Sequence, residues 1–349
     1  MKSRRKKQKG VRARDWADAG KYDTAFTHDR AKHRRAQAGF VSIPSNVIPP
    51  EKVRPNGLVV SHSGRWGFVS IEGEEVLCVI DEGLGEGRVS VLAPGDEVQV
   101  EYVEGQPVVR GVGPRRTKLS RLAHEQSRVQ EQVIAANVDI LVIVSSAVQP
   151  RFKPGLVDRY LAAASVGGVE PVLALNKMDL VEAAPAAVAG FRELGLRVFN
   201  TSAATGAGVG ELRGALEGKL AVMSGQSGVG KTALLNAMDP SLDLATQEVS
   251  TLTEKGKHTT SAGRLFRLEG DIKVIDTPGI RQLGLWGISH EEIAFYFPEI
   301  AELAAGCRFR NCTHIHEPDC AVRDGVEAGK ISMLRYNSYR HIRESLQSG

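Results

Sequence analysis

Eight consecutive residues, Gly225-Gln226-Ser227-Gly228-Val229-Gly230-Lys231-Thr232, have the types and spacing that grip a nucleoside triphosphate by its phosphates. They fit G-x-x-x-x-G-K-[ST]. Gly225 and Gly230 allow a tight turn and a close approach of backbone to phosphate, with no Cβ in the way. The N–H groups of Gln226, Ser227, Gly228 and Val229 then converge as an anion-binding nest. Lys231 can reach the β- and γ-phosphates, where its charge serves catalysis as well as binding, and the Thr232 hydroxyl can ligate Mg²⁺. Ala233 follows in the first helical turn and completes the set expected against the nucleotide.

A second set selects the base. Asn176-Lys177-Met178-Asp179 fits N-K-x-D. Asp179 can accept hydrogen bonds from N1–H and the exocyclic amine of guanine, a donor pair that adenine lacks. A carboxylate buried against the wrong base would be left unpaired, so the site should reject ATP. The Lys177 stem can lie over the base, and Asn176 can tie this loop to the phosphate loop. In Thr201-Ser202-Ala203, the backbone N–H of Ala203 could meet guanine O6.

A third set answers the γ-phosphate. Asp276-Thr277-Pro278-Gly279 fits D-x-x-G after an apolar strand. Asp276 would hold Mg²⁺ through water, and the Gly279 N–H would sense the γ-phosphate. Upstream lies Gly256-Lys257-His258-Thr259-Thr260. Thr260 there can ligate Mg²⁺ only while the γ-phosphate is present, which makes the segment a switch loop. Ile280 follows Gly279 where Ras-type GTPases carry a water-orienting Gln. It has no polar group, so slow intrinsic hydrolysis that a partner accelerates is expected. His258, by its place in the switch, is the candidate to position the water.

The order of these sets is unusual. Ras-type GTPases run phosphate loop, switch Thr, DxxG, NKxD, SA. Here NKMD and TSA precede GQSGVGKT, the Thr pair and DTPG. That is a circular permutation, and it is tolerable because domain termini commonly lie close together.

A fourth set is Cys307-x4-Cys312-x-His314-x5-Cys320. Three thiolates and an imidazole make a tetrahedral zinc set, and four protein ligands leave no open position, so one structural Zn²⁺ is expected. His316 competes with His314 for the imidazole place. Cys78 stands apart, as a small core residue.

The elements that must position these groups follow from the apolar pattern. Strands are expected over 138–145, 171–175, 196–200, 220–223, 264–268 and 271–275, with helices over 155–165, 208–218 and from Thr232. Near-continuous apolar strands alternating with helices give a mostly parallel sheet covered on both faces. Every motif falls at or beyond a strand's carboxyl end, where such sheets bind ligands. Between residue 56 and about 113 the pattern alternates, with glycine turns. Five strands in about 60 residues suit a small barrel of the OB type. Arg65, Trp66 and Phe68 on an exposed turn could stack on bases, or the two rings could fill the barrel. A helical stretch is expected from the basic connector to about Ala136. The fold is therefore multidomain: a basic, disordered extension and proline-rich linker over 1–54, an OB-fold over 55–115, a permuted α/β GTPase domain over 116–290, and a helical zinc-binding domain over 291–349.

Composition limits the alternatives. The chain has 349 residues, 42% hydrophobic and 25% charged, with a net charge of +4. No apolar run reaches a membrane span of roughly 18 residues, and no secretory leader is visible, so a cytoplasmic protein without a membrane partner is expected. The first fourteen residues carry eight Lys/Arg and no acid, which leaves the rest of the chain at −4. Such a tail suits phosphate backbones. A solvated terminus and mitochondrial targeting are the alternatives. Arg335, Arg340 and Arg343 lie on an amphipathic C-terminal helix, as a solvated face or an RNA contact.

Assembled, these residues resemble the ribosome small-subunit-dependent GTPase A family (RsgA/YjeQ type). The likeness runs over roughly 56–345 and includes domain order, GQSGVGKT, GKHTT, DTPG with Ile280, AFYFPEI and CRFRNCTHIHEPDC. The resemblance implies a monomer that binds GTP and GDP, docks on the 30S subunit and its rRNA late in assembly, hydrolyses GTP with stimulation by the subunit, and leaves. It also supports His258 as the water-positioning residue. Lys257 and Thr232-Ala233 depart modestly from the family's usual Arg and Ser-Ser. Two other function classes are a GTP-gated RNA-binding adaptor and an ATPase or nucleotide kinase.

Overall fold

The computed structural model describes residues 45–85, 90–125, 128–244, 263–277 and 285–347, with the side chains of 123–129 left aside. The basic residues 1–44, the switch segment with His258 and Thr260, and Pro278, Gly279 and Ile280 lie outside the described residues.

Five strands close the N-terminal barrel: β1 (Gly57–Ser63), β2 (Trp66–Ile71), β3 (Glu74–Ile80), β4 (Glu97–Val103) and β5 (Gln106–Val112). Their order is β1-β2-β3-β5-β4. The β3–β5 pair is parallel, and β4 returns to β1 antiparallel. Alternation puts Val59, Val69, Cys78, Val98 and Val109 inside, all fully buried. Turns at Gly73 (φ 91°) and Gly105 (φ 80°) need left-handed backbone, which glycine adopts without a Cβ penalty.

The structure corrects three expectations in this region. Trp66 and Phe68 sit on β2, half-buried, and not on an exposed turn. Phe68 points out of the barrel and packs on the core beneath the sheet, so the ring's apolar area is spent between domains. The linker end also packs. Ser45 Oγ donates to Asp81 Oδ1 at 2.6 Å, and the Ile48 N–H donates to the Arg110 carbonyl at 2.8 Å. Last, the helix expected up to Ala136 is a hairpin, β6 (Lys118–Glu125) with β7 (Arg128–Ala136). Its apolar spacing fits either period over so short a run. Cross-strand pairs decide for the hairpin: Lys118 with Glu131 and Ser120 with Glu131, both at 2.7 Å. Its base is fixed where the Ala136 N–H donates to the Pro94 carbonyl.

The central sheet has six strands in the order β10-β9-β8-β11-β13-β12. These are β8 (Ile140–Ser146), β9 (Glu170–Asn176), β10 (Arg197–Asn200), β11 (Leu220–Ser224), β12 (Arg264–Leu268) and β13 (Ile272–Asp276). All neighbours are parallel except β12 against β13. Side chains of β8 alternate between two cores. Leu141 and Ile143 face α1 (Pro154–Gly167) and α2 (Ala187–Glu193), while Ile140, Val142 and Val144 face α3 (Val209–Leu216) and α4 (Lys231–Met238). Pro154 opens α1, and Gly168 at φ 67° ends it.

The C-terminal module holds α5 (Pro298–Ala304), α6 (Ala321–Glu327) and α7 (Met333–Gln347). Here too the structure overturns an expectation. Arg335 and Arg343 are buried, neither a solvated face nor an RNA contact. Arg335 ion-pairs with Asp158 of α1 and donates to Glu299 of α5 at 2.5 Å, its guanidinium 4.5 Å above the Phe297 ring. Arg343 donates to the His290 carbonyl. Two helices from distant parts of the chain meet there, which local amphipathicity does not reveal.

Candidate functional site

The carboxyl ends of β9, β10, β11 and β13 converge on one rim of the sheet, and each delivers one motif. The backbone from Gly225 to Gly230 turns through φ 79° at Gly228 and 94° at Gly230. A Cβ on Gly225 would strike the Val144 carbonyl, and one on Gly230 would strike Asn176 Nδ2. Those two positions therefore demand glycine for space as well as conformation. The loop ends on the N-terminus of α4, which adds its dipole to the anion site.

Asn176 joins three loops. Its Nδ2 donates to the Val229 carbonyl at 2.9 Å, and its Oδ1 accepts from the Ala203 N–H at 3.0 Å. The tie to the phosphate loop was anticipated. The second bond was not: the Ala203 N–H, expected to face guanine O6, also meets the Asn176 side chain and so draws the third loop to the same rim. Ser202 Oγ donates to Asp179 Oδ1 at 2.6 Å and holds the carboxylate facing the rim. Lys177, at φ 64°, donates from Nζ to the Gly228 carbonyl at 2.7 Å and to the Gln149 carbonyl.

Lys231 and Asp276 form the charged floor. Lys231 Nζ donates to the Gly225 carbonyl at 2.9 Å and the Gln226 carbonyl at 3.2 Å. Burial lowers its pKa, and the Asp276 charge opposes that. Burial raises the Asp276 carboxyl, and Lys231 opposes that. Asp276 Oδ1 is buried and has no hydrogen-bond partner among the described residues. Buried carboxylate oxygens rarely stay unpaired, so this orphan, on the strand paired with the one that leads into the phosphate loop, fits a hydrated Mg²⁺. Thr277 Oγ1 donates to the Met223 carbonyl at 3.1 Å and locks β13 to the strand before the loop.

Residue types alone missed two supports. Pro150 lies 3.7 Å from where a Gly228 Cβ would stand. Tyr160 of α1 and Ser224 share a buried hydrogen bond of 2.9 Å directly beneath Gly225. The first could have been found from its place after an apolar strand. The second has no sequence signal.

In the C-terminal module Cys307, Cys312, His314 and Cys320 present their ligand atoms within 4.8 Å of one another. His314 Nδ1 lies 3.5 Å from Cys307 Sγ and 3.6 Å from Cys320 Sγ, and those sulfurs are 3.9 Å apart. A zinc tetrahedron built from ordinary Zn–S and Zn–N bonds has edges of about 3.5–3.8 Å. The set can therefore hold zinc with little movement. His316 is exposed and outside the cluster, so the imidazole place goes to His314. Burial pushes the Cys312 thiol up to about 12 and lowers His314. A bound dication would reverse the thiol's preference. The Glu317 carboxylate gathers Thr313 N–H (2.8 Å) and Thr313 Oγ1 (2.6 Å), bracing the ligand loop. Although burial works against its charge, these bonds hold Glu317 well below the usual carboxylate range.

A family model described as RsgA GTPase matches residues 112–286. A relative from Vibrio vulnificus (strain YJ016), named small ribosomal subunit biogenesis GTPase RsgA 1, is 38% identical over 300 residues, 83% of each chain. The chain belongs to the RsgA GTPase family. A second RsgA, from Pseudomonas aeruginosa PAO1, is 38% identical and covers 90% of this chain and 91% of its own. Among solved structures, YjeQ from Thermotoga maritima superposes with a TM-score of 0.64 at 30% identity, over 84% of this chain and 99% of that one. YloQ, described as a circularly permuted GTPase, gives 0.59 at 26% identity, over 84% and 95%. This RsgA-family chain is thus a GTP hydrolase of permuted order, with an OB-type barrel before its catalytic domain. No described helix is long and apolar enough to cross a membrane.

Proposed function

We propose that this GTPase binds the small ribosomal subunit, acts late in its assembly in the cytoplasm as a monomer, and leaves once the subunit has stimulated hydrolysis. The observation that carries the proposal is a phosphate loop, an NKMD loop, a barrel and a Cys3His module in one chain that is 38% identical to relatives named for small-subunit biogenesis. The surface chemistry of the module is in keeping. Arg308, Phe309 and Arg310 are exposed beside the first zinc ligand, and Arg308 lies 5.4 Å over the Phe309 ring. Guanidinium and aromatic groups so placed suit phosphates and unstacked bases.

In this mechanism Asp179 reads the base, with Ser202 orienting it. Met178 and Lys177 border the base, and Asn176 holds its loop to the phosphate loop. Gln226 to Gly230 supply N–H donors, Lys231 neutralises the β- and γ-phosphates, and Ala233 follows them in the helix. Bound Mg²⁺ would neutralise developing phosphate charge, held by Thr232, Asp276 and Thr260. Gly279 senses the γ-phosphate. His258 positions the attacking water when the subunit is bound. Zn²⁺ on Cys307, Cys312, His314 and Cys320 is structural.

GTP turnover with and without purified 30S subunits tests the proposal directly. A rate that the subunits leave unchanged would overturn it. His258→Ala should remove about 10²-fold of the stimulated rate, in the range of a positioned acid–base group, with GTP affinity nearly unchanged. Full stimulation in that variant would assign the water to another residue.

A further inference from the structure

We propose that α1 couples the zinc module to the phosphate loop, with Tyr160 as a positioning residue for the nucleotide. The proposal rests on the GTP and zinc assignments above and goes beyond both.

Helix α1 and the segment that leads into it touch the nucleotide site at two separate points, one from each. Tyr160 OH and Ser224 Oγ are 2.9 Å apart, both buried, at the residue before Gly225. Ahead of Pro154, which opens α1, the chain passes Gln149 and Pro150. The Gln149 carbonyl shares the Lys177 ammonium with the Gly228 carbonyl, and Pro150 borders Gly228. Phe152 anchors this approach, packing edge-on against Phe191 with centroids 6.2 Å apart. A shift of α1 thus moves both the start and the crest of the phosphate loop.

The opposite side of α1 is held by the zinc module. Asp158, two residues before Tyr160, is fully buried and ion-paired with Arg335 of α7. On the next positions of α7, Tyr336 OH donates to the His314 carbonyl at 2.6 Å and Tyr339 OH to the Thr313 carbonyl at 2.8 Å. Polar contacts, buried or partly buried, therefore link the ligand loop to α7, α7 to α1, and α1 to the phosphate loop. Packed interiors move as units and do not deform locally, so loss of order in the ligand loop releases α7 and, through Arg335, α1.

The test uses the full-length protein and reads binding, not turnover. Its zinc content is measured first, then the affinity for a fluorescent GDP before and after zinc is stripped by a chelator. Stripping should weaken GDP binding about fivefold or more, the lower bound of usual coupling, and saturating GDP should raise zinc affinity by the same factor. Tyr160→Phe should bind GDP more weakly than wild type while zinc is present, and should lose most of the response to stripping. That variant also separates coupling from collapse, because a globally unfolded chain would lose GDP with either residue at 160. Zinc that binds and strips without changing GDP affinity overturns the proposal, as does a Tyr160→Phe protein as responsive as wild type. A chain that takes up no zinc overturns the zinc assignment, and this proposal with it.

Discussion

Asp179→Asn should lower GTP affinity by about 10⁴-fold and raise affinity for xanthosine nucleotides, because a site built around a specific donor pair discriminates on that scale. In the proposed site the carboxylate would accept from two donors on guanine, whereas an amide presents one acceptor and one donor. Xanthine carries a carbonyl where guanine carries its amine, so the amide matches it. Ser202 Oγ, 2.6 Å from Asp179 Oδ1, can still donate to the amide oxygen, and the loop should keep its shape. Equilibrium binding of labelled GDP and XDP measures both affinities. Equal GTP binding by the variant and wild type would remove Asp179 from the base site.

Arg335→Ala should destabilise the C-terminal module by about 3–5 kcal/mol, the usual cost of removing one partner from a buried ion pair. Both carboxylates that face Arg335 are withdrawn from water, with Asp158 at 0% and Glu299 at 18% side-chain exposure. Burial already raises the Asp158 carboxyl against the opposing Arg335 charge. Without the guanidinium, Asp158 must take a proton or the interface must open. A urea midpoint followed by circular dichroism reads the loss. Replacing the three together, Arg335→Met with Asp158→Leu and Glu299→Met, should recover most of it, since apolar side chains often substitute for a buried ionic group. A shift below about 1 kcal/mol in the single variant would mean that the pair is solvated in solution.

What could be seen in the sequence was what chemistry forces to be local. Phosphate binding needs its glycines, Lys231 and Thr232 within eight residues, so GQSGVGKT declares itself, and Asn176 and Asp179 must stand on one turn to face one base. The strands that carry them are apolar throughout because both faces of the sheet are covered. Contacts between distant residues were not visible. Arg335 meets Asp158 across 177 positions of chain, and nothing on α7 distinguishes that arginine from Arg340. The bond from the Ala203 N–H to Asn176 likewise joins residues 27 positions apart. The hairpin β6–β7 was misread because a short apolar run fits both periods.

The docking of the barrel on β12 has a further consequence. Among the described residues β12 is the terminal strand of the six-stranded sheet, and a terminal strand offers unpaired backbone groups to any other strand that meets it. Arg264 on β12 reaches Glu75 of the barrel at 2.8 Å, and Arg267 reaches Ser70 at 3.1 Å. The barrel thus shields a sticky margin of the catalytic domain. A catalytic domain cut free of it would keep its nucleotide chemistry but bare a template for self-association. The order of domains along the chain, barrel before sheet, means that the shield is made first when the protein is synthesised.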